Sequence, residues 1–279
     1  METISTKPKT VKNYLNTFIE NQLENKNRET ISTGFKKLDK SLNGGFYSGL
    51  YVIGAISSLG KTALTLQIAD NIAKSGQYVL FLSLEMPQDE LISRSLSRKM
   101  FVNGKNSKEN KCKDIGTLKV LNGYLDNVQN EFNNALMEYS SNEAEYLNII
   151  EGNFEFDINS ICSEVDKFIK ENNVKPVVFI DYLQIIRASE DDKFGSEKEK
   201  IDKIVVKLKR LSRDYNIPVM VVSSFNRESY ESPVSFSCFK ESGGIEYTAD
   251  FVLGLQLTIL DDIQCEKNDK NKNEKKKII

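Results

Sequence analysis

Histidine is missing from the whole chain of 279 residues. Its absence excludes histidine-based triads, histidine metal sites and histidine general bases together. Cysteine is sparse: Cys112, Cys162, Cys238 and Cys265 lie far apart and form no C-x-x-C pair. That spacing argues against a disulfide framework or a zinc site, and reduced thiols are the simpler account. No apolar run approaches the ~20 residues that a membrane helix needs. The opening residues, Met1 to Ser5, lack the charged-then-apolar order of a signal peptide, so a cytoplasmic protein with no membrane partner is expected. An excess of one charge is also lacking. Lys and Arg total 38 against 40 Asp and Glu, a net charge of −2, so contact with a polyanion must come from local patches. No internal repeat is visible.

What is present suits an α/β fold. Hydrophobic residues make up 39%, enough for a sizeable core in a chain of this length. Apolar runs at 50–53, 78–82, 147–150, 177–181, 218–222 and 251–255 read as strands, most of the buried type. Between them come residues at helical spacing: Leu64, Ile68 and Ile72; Leu91, Ile92, Ser95 and Leu96; Phe132 and Leu136. Ile158, Ile161, Val165 and Phe168 follow, then Ile201, Ile204, Val205, Leu208 and Leu211. Such alternation predicts a mostly parallel, twisted sheet with helices on both faces. Residues 102–130 are polar and weakly patterned, and no structure is expected there. Near the start, Val11, Tyr14, Leu15, Phe18, Ile19 and Leu23 share one face of an amphipathic helix. It either packs back on its own domain or docks on a neighbour. The chain thus divides into a helical segment (1–28), a main domain (29–260) and a charged tail, expected to be mobile (261–279).

The chemistry centres on Ala55-Ile56-Ser57-Ser58-Leu59-Gly60-Lys61-Thr62, between a strand and a helix. In a phosphate-binding loop, backbone N–H groups, here of Ser57, Ser58, Leu59 and Gly60, face phosphate oxygens. The lysine reaches the β/γ-phosphates and the threonine hydroxyl holds magnesium. The usual pattern begins with Gly; here Ala55 takes that place and Gly54 sits one residue earlier. A chance Gly-Lys-Thr in a surface turn is the alternative, and the strand before and helix after favour a nucleoside triphosphate site. Asp181 ends an apolar strand and so emerges at the sheet edge where open α/β folds bind ligands. It is a candidate to hold magnesium, or else a strand-ending turn cap. Glu85 has the same setting and could polarise a water, or be an exposed loop glutamate. Arg227 and Lys240 flank the loop after residues 218–222, within reach of a polyanion or simply solvated.

Together these segments resemble the C-terminal ATPase domain of replicative DNA helicases of the DnaB type, in the RecA-like group of P-loop NTPases. The resemblance spans residues 11–257. It rests on Thr33-Gly34-Phe35 with Leu38-Asp39, Ala55 to Thr62, Ser83-Leu84-Glu85-Met86, Asp181-Tyr182-Leu183-Gln184, Phe225-Asn226-Arg227, and Glu241-Ser242-Gly243 with Ile245-Glu246. It implies a RecA-like ATPase domain preceded by a linker helix, with ATP and Mg2+ as cofactors. Lys61 and Thr62 become phosphate and magnesium ligands, Glu85 the carboxylate that activates water, and Asp181 the acidic magnesium partner. Segments 187–200 and 227–243 fall where the family carries channel loops that grip single-stranded DNA, with Asn226, Arg227 and Lys240 as contacts. Those contacts should be phosphate-directed and salt-dependent. The first helix becomes a linker docking on the next subunit of a hexameric ring. The implied activity is ATP-driven 5′-to-3′ translocation and duplex unwinding, with a primase and a helicase loader as further partners.

Three departures from the family pattern stand out. Ser224 occupies the place of a glutamine thought to couple γ-phosphate state to DNA-loop movement. Lys240 replaces a common Arg, keeping charge but losing bidentate geometry. The basic segment that supplies an arginine finger does not occur before Ile279. A finger can be worth ~10³–10⁵ in rate, so slow hydrolysis by this chain alone, as a fragment of a longer helicase, is expected. Two other classes share the nucleotide site: a DNA-binding RecA-like ATPase without unwinding (loader, mediator or recombinase-like), and a regulatory ATPase that binds no DNA.

Overall fold

The computed structural model describes residues 10–26, 30–105, 110–152, 156–187, 196–226, 229, 233–239 and 242–257. Along them run α1 (Val11–Lys26), α2 (Lys36–Ser41), β1 (Gly49–Ala55), α3 (Lys61–Lys74), β2 (Val79–Ser83), α4 (Gln88–Gly104), α5 (Thr117–Leu121) and α6 (Gln129–Ser141). Then come β3 (Leu147–Glu151), α7 (Ile158–Asn172), β4 (Val177–Asp181), α8 (Glu197–Tyr215), β5 (Pro218–Ser224), α9 (Ser242–Thr248) and β6 (Phe251–Gly254). The expected strands and helices are present. The sheet has the order β3-β2-β4-β5-β1-β6, and each pairing is parallel.

The apolar runs form central strands because they are covered on both sides. Alternate residues face opposite layers. Leu50, Val52, Leu80, Leu82, Val178 and Ile180 pack with Ile161 and Val165 of α7 and Ile204 and Leu208 of α8. Tyr51, Ile53, Phe81, Phe179, Met220 and Val222 pack with Leu66, Ile68 and Ile72 of α3. Both helices on the first face are capped by the residues their ends require. Asp157 and Ser196 accept hydrogen bonds from Ser160 N and Glu199 N, and Asn173 and Asn216 end them in the left-handed conformation.

Two regions decide readings that the residues alone left open or missed. The apolar face of α1 is exposed where it is described: Val11 is 77% and Ile19 54% accessible, and among the described residues none from α1 joins a core cluster. Packing back on its own domain is therefore not what the structure shows. Within 102–130, where no structure was expected, α4 continues to Gly104 and α5 follows. Met100, Cys112, Val120, Leu125 and Val128 close a small third core with Ala135 and Tyr139. Its apolar residues are too sparse for a periodic signal and meet only once α6 has folded against α4. Residues 258–279, including the charged tail, lie outside the described residues. Among the described residues no helix is long and apolar enough to cross a membrane.

The small core is fixed to α3 by a buried polar cluster. Asp70 is 2% exposed and accepts hydrogen bonds from Ser95 Oγ (2.6 Å), Tyr139 OH (3.1 Å) and the Arg98 guanidinium. Burial pushes its carboxyl up, against the opposing pull of Arg98. Beside it, Lys99 Nζ binds Glu143 at 2.6 Å and Glu138 at 3.0 Å. Removing one member of such a pair strands the other's charge. Arg98→Ala should therefore lower stability by about 3 kcal/mol at pH 7 in urea denaturation. The loss should shrink as pH falls through the raised Asp70 value, because a protonated carboxyl needs no counter-ion.

Candidate active site

The site forms where parallel strands stop and their chains turn away. β1 ends at Ala55, and the backbone passes through Ser58 (φ 62°) and Gly60 (φ 89°) before α3 begins at Lys61. Left-handed residues beside a helix start turn successive N–H groups toward one point, which makes a concavity suited to phosphate. The displaced glycine has a separate explanation. A Cβ on Gly54 would lie 2.2 Å from the Phe239 ring and 2.5 Å from that of Phe225, so residue 54 is glycine to let these rings onto β1.

The other strand tips bring the charged groups. Ser83 of β2 pairs in register with Asp181 of β4, and Leu84 N donates to the Asp181 carbonyl at 2.7 Å. Glu85 and Asp181 are thereby held on neighbouring tips. The turn after β2 is fixed by Ser83 Oγ, which donates to the Met86 carbonyl at 2.6 Å. The Asp181–Tyr182 peptide is cis.

One cleft of about 660 Å³ receives Ser57, Ser58, Gly60, Lys61, Thr62, Glu85, Asp181 and Ser224. Leu59 is half-buried within the loop and does not line it. Lys61 Nζ donates to the carbonyls of Ala55 (3.1 Å) and Ile56 (3.0 Å), which keeps the ammonium over the loop. Asp181 is 2% exposed, and its Oδ2 is buried without a hydrogen-bond partner among the described residues. Burial raises its carboxyl above the usual carboxylate range; the Thr62 hydroxyl pulls it down, the Glu85 charge pushes it up, and Lys61 and Arg94 oppose that. An orphaned carboxylate oxygen next to a threonine hydroxyl, with an open cleft in front, fits a divalent cation. Among the described residues no group of three metal-ligating acids, cysteines or histidines exists, so such an ion would depend on ligand oxygens too.

Two cleft residues escaped the sequence reading. Arg94 lies on α4 with Glu90, which accepts its Nη2 hydrogen bond at 3.1 Å. The one available signal was a four-residue spacing on the helix that follows Glu85. Of the three residues expected at nucleic acid, Arg227 and Lys240 lie outside the described residues, as do 228, 230–232 and 188–195. Asn226 is described, and its side chain is engaged within its own loop. Nδ2 donates to the Ser237 carbonyl (2.8 Å), and Oδ1 accepts from Ser229 N (3.0 Å) and the Ser229 hydroxyl.

Comparison with known proteins identifies the family. A probable replicative DNA helicase of Trieres chinensis is 32% identical over 229 residues, covering 81% of this chain and 47% of its own. The replicative DNA helicase DnaB of Geobacillus stearothermophilus is 31% identical over 249 residues, covering 87% and 50%. Among solved structures, a DnaB-like replicative helicase described with its interactions with primase superposes with a TM-score of 0.67 at 25% identity, over 88% of this chain and 56% of that one. The chain thus spans about half the length of the curated relatives it matches. Residues 30–279 match the family described as DnaB-like helicase C terminal domain, and the chain belongs to that family.

Proposed function

We propose that this chain is the ATPase motor domain of a replicative DNA helicase, coupling ATP hydrolysis to 5′-to-3′ translocation on single-stranded DNA and duplex unwinding. The observation that carries the reading is the convergence of Lys61, Thr62, Glu85 and Asp181 on one cleft, at the end of the sheet where phosphate-binding loops operate. In this reading the N–H groups of 57–60 and the α3 N-terminus bind the triphosphate, and Lys61 leaves the loop carbonyls for the β/γ-phosphates. Thr62 Oγ1 and Asp181 would hold magnesium, which when bound would neutralise charge developing on the phosphates. Glu85, exposed at the cleft wall, orients a water and accepts its proton. Arg94 adds positive charge to the same cleft.

Arg227 and Lys240 contact phosphates of the single strand, and Asn226 shapes the start of that loop. The exposed face of α1 docks on the next copy in a hexameric ring, since a helix with Val11, Tyr14, Leu15, Phe18 and Ile19 in water gains by burial. A primase and a loader are the natural further partners, the first being named with one structural neighbour.

Nucleotide binding by Lys61→Ala should fall at least ~100-fold, the loss of a charged contact to phosphate, in fluorescent-nucleotide titration; equal affinity removes the site. Glu85→Gln should bind ATP normally and turn over ~10²–10⁴ times more slowly, and unchanged turnover removes Glu85 from its role.

Asp181→Asn separates binding from stability. The folded carboxyl is shifted upward, so its ionisation lowers stability, which is fullest below the unfolded value and falls as pH rises through the folded one. Asp181→Asn should therefore raise the melting temperature of the ligand-free chain by about 2–4 °C at pH 7, with a smaller gain at pH 4.5. It should also remove the magnesium dependence of ATP affinity. A lowered melting temperature at pH 7 contradicts the charge argument.

A further inference from the structure

The seam between β4 and β5 behaves differently from the other seams of the sheet. β2 and β4 remain in register to Ser83 and Asp181, and β1 and β5 to Ala55 and Ser224. Between β4 and β5 the pairing stops earlier, at Ile180 and Val221. The Asp181 carboxylate therefore sits at the tip of β4 one residue past the last β4–β5 pair, while β5 runs on beside β1 to Ser223 and Ser224. One side chain spans the opening. Gln184, in the short 3-10 turn Leu183–Ile185 just after Asp181, donates from Nε2 to Ser223 Oγ (2.9 Å). Its Oε1 accepts from Ser224 N (3.3 Å). A carboxamide offers one donor and one acceptor face, as a peptide does, so Gln184 takes the place of the missing ladder bonds.

Beyond Ser224 the chain is gripped by β1 instead. Phe225 N donates to the Ala55 carbonyl at 3.0 Å, and the Phe225 and Phe239 rings meet edge-on at 4.9 Å over Gly54. Asn226 N donates to the Cys238 carbonyl at 2.8 Å and closes the stem. The segment beginning at Asn226 is thus rooted on β1 and β5, while Asp181 and Glu85 belong to β4 and β2.

We propose that Gln184 is the positioning residue that couples occupancy of the cleft to the placement of the segment following Phe225. This rests on the function proposed above. Ser224, whose short side chain ends at the cleft wall, presents its backbone N–H to this bridge, so the link does not need a long side chain at position 224. A change at Asp181 shifts the turn carrying Gln184, and the bridge passes the shift to β5.

The test is a linkage measurement on the chain, with fluorescein-labelled oligo(dT) and the magnesium complex of a non-hydrolysable ATP analogue. Binding of each ligand alone is measured first, then DNA affinity with the cleft saturated. For the wild-type chain the analogue should change DNA affinity about tenfold, within the ~5–150-fold range of coupled sites. Gln184→Met, which keeps length and loses both hydrogen bonds, should bind each ligand alone within about twofold of wild type, with the ratio reduced below two. Ser223→Ala, which spares the Ser224 N–H bond, should give an intermediate ratio and serves equally if the first variant does not fold. A full ratio in whichever variant folds overturns the inference, as does a wild-type ratio of one with both ligands bound. A wild-type chain that binds neither ligand overturns the function itself, which the separate affinities reveal directly.

Discussion

A carboxylate almost wholly removed from water, with one oxygen left unbonded, is the constraint around which the site is arranged. Such a group is unfavourable unless something compensates it. The neighbours present, Thr62, Lys61 and Arg94, offset part of that penalty, and Glu85 adds to it. Position and burial follow from the sheet: Asp181 is the last residue of a strand covered on both faces, flanked by β2 and by the C-terminal half of β5. An Asp one residue earlier would be sealed within the core, whereas the next position, Tyr182, is half-buried and packs against the α3-side core. Strand length thus places the charge at the one depth where a cation can reach it while water is largely kept away.

The neighbouring strands place the remaining groups by the same rule. Each parallel strand delivers its end to the same edge, so β1 supplies the loop of Ser57 to Gly60, β2 Glu85 and β5 Ser224 without long-range guidance. This is why so much of the site was legible in the residues. Continuous apolar runs marked the strands, and Gly-Lys-Thr, Glu85 and Asp181 lay directly at their ends. What was illegible depended on contacts between distant elements. Nothing local distinguished Arg94 from an ordinary surface cation on α4. Gly54 looked like a misplaced loop glycine, and its real cause, the rings of Phe225 and Phe239, lies far away in the chain. The α4–α6 core was missed because its few apolar residues show no period until they are brought together. Gln184 stood in a recognisable motif, yet its role as a bridge depends on β4 ending while β5 continues to Ser224.

The two sides of the cleft differ in stiffness for identifiable reasons. On one side α3, which begins in the phosphate loop, is bound to α4 and α6 through Asp70, whose three partners come from Ser95, Arg98 and Tyr139. Arg94 stands one helical turn before Arg98 on that same helix, so the cleft wall and the buried cluster share one rigid element. A buried, satisfied network of this kind resists rearrangement because any movement exposes an unpaired charge. On the other side, the tips of β4 and β5 are joined by two side-chain hydrogen bonds of one half-buried glutamine. Relative motion driven by events in the cleft will concentrate where the least free energy opposes it. At the cleft rim the opening beyond Ile180 and Val221 is spanned by Gln184, and the segment rooted on β5 beyond it begins at Asn226, which is where the proposed coupling leads outward.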